Sequence, residues 1–168
     1  IAWQHHIKDL VESVFDFYRR GIEMNVPSVI EEIRIALEED TDVYKSYRTT
    51  SSQILTGRLA GIDPHIQVHN WSEVLPVLND AASRVIVREI NGGSGDVLNY
   101  YDHPNGLSVI AIGGDKLSRG LTLEGLSVSY YLRASRMYDT LMQMGRWFGY
   151  RPGYVDLCRL FISRELNE

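Results

Sequence analysis

Four glycines and three arginines in the last third of the sequence have the chemistry of a phosphate site. Gly113 and Gly114 lead into Asp115, Lys116, Ser118 and Arg119, with Gly120 next; farther on, Gln143, Gly145 and Arg146 precede Tyr150 and Arg151. Glycine lets a backbone approach a ligand closely, and a guanidinium presents forked donors that match phosphate oxygens. Taken singly, such arginines are surface ion pairs of little consequence and paired glycines only turn the chain. The coincidence of all of them in one stretch favours a site.

The elements that must hold these residues follow from apolar spacing. The run 107–112 reads as a strand ending at Gly113-Gly114, and the run 126–132 as a second strand. Tyr138, Leu141, Met142 and Gly145 then repeat at helical spacing. Basic loops therefore close two neighbouring strand-helix units. In an open α/β sheet, anions collect beyond the carboxyl ends of strands, where loops and helix N-termini offer unpaired N–H groups.

The stretch GGDKLSRGLTLEGL (113–126) resembles motif V of superfamily-two helicases, with Asp115 and Arg119-Gly120 in the spacing of the usual T-D-x-x-x-R-G loop. LMQMGRWFGYR (141–151) resembles their motif VI. The same stretch, with Tyr138 to Leu141 and QMGRWFGYRPGY, resembles the Z-one domain, found in bacterial multidomain proteins described as endonucleases and associated with a helicase-type ATPase core. The resemblance is dense over the last 60 or so residues. It implies that Arg146, then Arg151, completes a γ-phosphate site, an arrangement worth roughly 10³ to 10⁵ in rate. It further implies that Gly113, Gly114, Asp115, Gln143 and Gly145 line bound ATP, and that Lys116, Ser118, Arg119, Thr122 and Tyr150 couple the nucleotide to a nucleic-acid strand. The pattern departs from the helicase one at Gly114, where Thr is usual, at Thr122, where many have Asp, and in the spacing of Arg151 from Gly145-Arg146.

Bulk properties limit the reading. The 168 residues can bury a core, and a formal net charge of -5 argues against a freestanding nucleic-acid-binding module. The charge is uneven: residues 1–113 hold 9 Lys+Arg against 16 Asp+Glu, and residues 114–168 hold 8 against 6. The basic excess lies with the motifs. Cys158, the single cysteine, is expected to be a buried, inert thiol. No run approaches the roughly 18–20 apolar residues of a membrane span and no signal pattern opens the chain, so a cytoplasmic protein is expected. The start at Ile1, within a helical pattern, is read as a cut from a longer chain.

Residues 3–20 carry a helical stripe of Ile7, Leu10, Val11, Val14, Phe15 and Tyr18, expected to pack against the rest of the protein. Pro27 should open a second helix. His5-His6 and the acidic clusters Glu31-Glu32 and Glu38-Glu39-Asp40 lack the spacing of a metal set and read as surface groups. Residues 45–65 read as loop, 66–69 as a short strand, 71–82 as a helix, 84–90 as a strand and 91–96 as a flexible connection. Tyr130, Trp147 and Phe148 are expected in the core, and Tyr150 on the surface, where an aromatic can stack a base. These elements predict an α/β fold, a RecA-like three-layer parallel sheet over 66–168, with a largely helical portion over 1–65.

No G-x-x-x-x-G-K-[ST] loop is present, so the chain by itself is not expected to hydrolyse ATP. The expected role is the C-terminal lobe of a nucleic-acid-dependent ATPase within a restriction- or phage-defence-type endonuclease, sharing ATP and Mg²⁺ with an upstream lobe of the same full-length chain. DNA is the favoured polymer and RNA the alternative. A non-catalytic lobe that binds nucleic acid or a partner is the second reading. The third is a nuclease domain, although no D/E-x-K pattern precedes Lys8, Lys45 or Lys116.

Overall fold

In a computed structural model, the structure describes residues 2–58, 60–90, 98, 102–104, 106–114, 123, 125–131 and 151–162. The order of elements is α1 (Ala2–Glu23), α2 (Pro27–Glu38), α3 (Tyr47–Thr56), α4 (Trp71–Arg84), β1 (Ile86–Ile90), β2 (Val109–Gly113), β3 (Val128–Tyr131), a 3-10 turn (Val155–Leu157) and β4 (Arg159–Ile162). The protein is thus mixed α/β with short parallel strands. Among the described residues the strands form two separate two-stranded sheets, β1 with β2 and β3 with β4, both parallel. Ile86 is paired with Val109 in the first, and Val128 with Arg159 in the second. The expected helical stretch around Tyr138 to Gly145 lies outside the described residues.

The chain divides into two compact units: Ile1–Arg34 with Trp71–Leu121, and Ile35–Asn70 with Thr122–Glu168. In the first, α1 packs on α4, β1 and β2. It ends in a Schellman cap: Val26 N–H reaches Gly21 C=O at 2.8 Å and Asn25 N–H reaches Ile22 C=O at 3.1 Å, with Asn25 at φ 54°. Gly21 lets α2 close in, because a Cβ there would stand 2.6 Å from Cγ2 of buried Val29. The α1 stripe does not pack as one face. Val11, Phe15 and Tyr18 are half-buried, whereas Ile7, Leu10 and Val14 are exposed, as are Phe17 and Trp3, the last 79% exposed. Apolar residues span a wider arc of the helix than its neighbours in this unit cover.

Two local expectations fail in the second unit. Residues 47–56, expected as loop, form α3, because Ser46 caps it: its Oγ accepts the Thr49 N–H at 3.1 Å, and Asp40 Oδ1 accepts the Ser46 N–H at 3.0 Å. The Thr-Thr-Ser-Ser run weakens helix propensity, but the cap and the packing of Ser51 outweigh it. Residues 66–69 form no strand. Ile66 is buried as a single anchor, and no ladder neighbour extends it.

Candidate functional site

Among the described residues picked out from the sequence, Arg151 lies in a turn of the second unit. Arg151, Pro152, Gly153 and Tyr154 form a β-turn closed by Tyr154 N–H on Arg151 C=O at 3.2 Å. Pro at the second position with Gly153 at φ 76° is the signature of a type II turn, which needs left-handed backbone at its third residue. Arg151 is exposed at the first position of this turn. Its guanidinium lies beside Gly125, where a Cβ would come within 3.3 Å of Nη1. Gly125 sits at φ 77°, a second position suited to glycine, so the end of the motif V-like stretch meets the end of the motif VI-like one.

The tip of the turn is held from across the unit. Asp63, 2% exposed, accepts the Gly153 N–H on Oδ2 at 2.7 Å and the His65 N–H on Oδ1 at 3.1 Å. The second contact is an Asx-turn, a carboxylate bonding its own backbone two residues on. A Cβ at Gly153 would come 3.3 Å from the His65 carbonyl oxygen, so the two loops approach at glycine distance.

Beyond the turn, the chain is tied to α3. Asp156, 4% exposed, faces Ser51, whose hydroxyl lies 2.6 Å from Oδ2 and 2.8 Å from the Tyr47 carbonyl oxygen. One proton serves two acceptors there, and Oδ1 of Asp156 has no hydrogen-bond partner. Arg159 donates to Thr50 Oγ1 at 3.0 Å and lies 4.4 Å over the Tyr47 ring, while its N–H opens the β3–β4 ladder on Ser127 C=O at 2.8 Å. Between them Cys158 is partly buried and its Sγ–H donates to Tyr154 C=O at 3.5 Å. Burial first, and the neighbouring Asp156 second, push its thiol above the ordinary range, with Arg159 pulling the other way. The expected inert thiol fits this setting.

Other sequence-predicted residues fall elsewhere. Gly113 ends β2 opposite Ile90, and Gly114 follows it in the first unit. A Cβ at Gly114 would meet the Gln4 amide of α1, the far end of a flexible side chain that can move aside. Asp115, Lys116, Ser118, Arg119, Thr122, Gln143, Gly145, Arg146 and Tyr150 lie outside the described residues, as do Trp147 and Phe148. Tyr130, expected in the core, is 71% exposed and stacks on Phe161 at 5.6 Å between centroids.

The acidic clusters are partnered. Glu31 pairs with Arg34 at 2.7 Å and Glu38 with Arg48 at 3.3 Å, and Glu32 accepts from the Tyr18 hydroxyl at 2.6 Å. Lys45, then the Ser46 N–H and the Thr49 hydroxyl, hold the Asp40 carboxyl well below the usual carboxylate range. Among the described residues, no three His, Cys, Asp or Glu side chains gather as a metal site, and no helix is long and apolar enough to cross a membrane. An open polar recess of about 400 Å³ beside α3 is lined by Glu38, Arg48, Thr49, Ser52 and Gln53 among others.

Asp63, Gly125, Ser51 and Asp156 are the site residues that sequence reasoning missed. Asp63-Pro64 carried the signal of an Asx-turn, but nothing in it told which distant N–H the second oxygen would take.

What this arrangement offers chemically is one exposed guanidinium on a doubly anchored turn, lying against the backbone of a glycine. No curated protein and no solved structure matches the chain. The family model of the Z1 (Z-one) domain matches residues 1–168, so the chain belongs to the Z1 domain family.

Proposed function

We propose that this Z1 chain is the C-terminal, RecA-like lobe of a helicase-like, nucleic-acid-dependent ATPase, and that it completes an ATP site formed with an upstream lobe of the full-length protein. The observation that carries the reading is the placement of Arg151 beside Gly125. It joins the two stretches that resemble motifs V and VI, with the guanidinium lying against the backbone of Gly125. An exposed guanidinium presents forked donors that match phosphate oxygens. Bound ATP would supply the phosphoryl group and Mg²⁺ its charge neutralisation. Arg146 and Arg151 would sense the γ-phosphate, and the loop from Gly113 to Arg119 would relay that state to the bound strand, DNA by preference. The wider sheet required of a RecA-like lobe belongs to this proposal, as does its setting in a multidomain endonuclease of restriction or phage-defence type.

The test is ATP hydrolysis by the full-length protein with and without DNA, comparing Arg146→Ala and Arg151→Ala with the wild type. A DNA-stimulated rate that drops about a hundredfold in either variant, close to 3 kcal/mol in barrier, is the expected result. Equal rates in all three proteins would leave a lobe that binds nucleic acid or a partner without turnover.

A further inference from the structure

We infer that Asp63 is the positioning residue for Arg151. The claim about geometry stands on its own, and its kinetic consequence rests on the ATPase reading above. Asp63 is among the most buried side chains of the described residues, yet it is a carboxylate, and it accepts from two backbone N–H groups. A buried carboxylate is costly unless it is hydrogen-bonded. Here one oxygen organises the 63–65 turn, and the other reaches ninety residues along the chain to Gly153. Gly153 is the third residue of the turn that Arg151 begins, and Pro152 between them has its φ locked by its ring. Anchoring the Gly153 N–H therefore fixes the direction in which the chain leaves Arg151. At the other end of the same side chain, the absence of a Cβ at Gly125 gives the guanidinium its place. The backbone from which the arginine projects is thus set before any ligand arrives. That preorganisation counts because a misplacement of about 1 Å can cost about 10²-fold in rate.

Asp63→Asn is the informative change. Asparagine keeps one acceptor and turns the other into a donor, so either Gly153 or His65 loses its bond while size is preserved. Two measurements on the full-length protein decide the matter. The first is amide hydrogen exchange of a peptide covering Arg151 to Tyr154, in which Pro152 has no N–H, so that the signal comes chiefly from Gly153 and Tyr154. Slow exchange in the wild type that becomes fast in Asp63→Asn supports the inference. Exchange in the wild type as fast as that of exposed loop amides overturns it without any variant having to fold. The second is a kinetic cycle. Asp63→Asn, verified as folded, should lower kcat about tenfold or more with KM for ATP unchanged within about twofold, and should add nothing in an Arg151→Ala background. If it lowers the rate by the same factor in that background, Asp63 does not act through Arg151 and the inference fails. Should Arg151→Ala itself hydrolyse ATP at the wild-type rate, Arg151 has no part in turnover and the kinetic consequence is lost; a wild-type rate in Arg146→Ala as well would sink the ATPase reading, and in either case the exchange measurement alone then decides the role of Asp63.

Discussion

The guanidinium of Arg151 occupies the space beside Gly125 into which any other residue would project, at 3.3 Å from Nη1 to the position of a Cβ. This joins two stretches separated in the sequence, and it places glycine's lack of a side chain and its tolerance of positive φ in the service of one contact.

Gly125→Ala is therefore expected to have two effects. The backbone at φ 77° disfavours alanine by about 1–2 kcal/mol, which urea titration of the folded protein would register. The added methyl group also displaces the guanidinium, so ATP hydrolysis by the full-length protein should fall beyond what the stability loss explains. A variant with wild-type stability would show that the left-handed conformation is not required at this position.

Ser51→Ala removes the donor that meets the buried carboxyl of Asp156 at 2.6 Å. With Oδ1 already unpartnered, the side chain would then keep no hydrogen bond to any described residue. A loss of roughly 2 kcal/mol is expected in chemical denaturation. Ser52→Ala, one residue along on the open recess, should stay within about 0.5 kcal/mol. Equal effects of the two changes would show that the α3–Asp156 tie has no special weight.

The contribution of Asp40 to stability should depend on pH. Its folded-state pKa is depressed, by Lys45 first and by the Ser46 N–H and Thr49 hydroxyl after it. The ionised form is therefore favoured by folding. Its contribution is full above the unfolded value near 3.9 and declines as pH falls from there through the folded value. Asp40→Asn should lower the melting temperature at pH 7, and the difference from wild type should shrink on acidification below about pH 4. A difference that stays constant to pH 3 would contradict the assignment.

Cys158 should be a slow nucleophile. Burial and the adjacent Asp156 keep its thiol protonated, and its Sγ–H is engaged with Tyr154 C=O. Alkylation by iodoacetamide in the folded protein is expected to lag that of the same cysteine in 6 M guanidinium by at least about tenfold at pH 7.5, because the thiolate is the reacting species. Comparable rates in the two states would mean the thiol is open and acidic.

Periodicity and punctuation in the sequence alone determined where several elements lie. Pro27 opens α2, Trp71 opens α4, and the apolar runs near 86–90 and 107–112 become β1 and β2. Arg151 was identifiable as a candidate because arginine beside Pro-Gly after a Gly-Arg pair is a local pattern. Local patterns, however, depend on neighbours within a few residues. What α3 packs on and which distant N–H Asp63 accepts are decided by residues 90 or more positions away, as in the bonds Asp63–Gly153 and Ser51–Asp156. The helical state of 47–56 follows the same logic: weak propensity in a Thr- and Ser-rich segment was overruled by a cap from Ser46 and Asp40 and by a buried hydrogen bond. Those energies exist only once the chain is folded, which is why tertiary structure, and not sequence spacing, assigned Asp63 and Gly125 to the surroundings of Arg151.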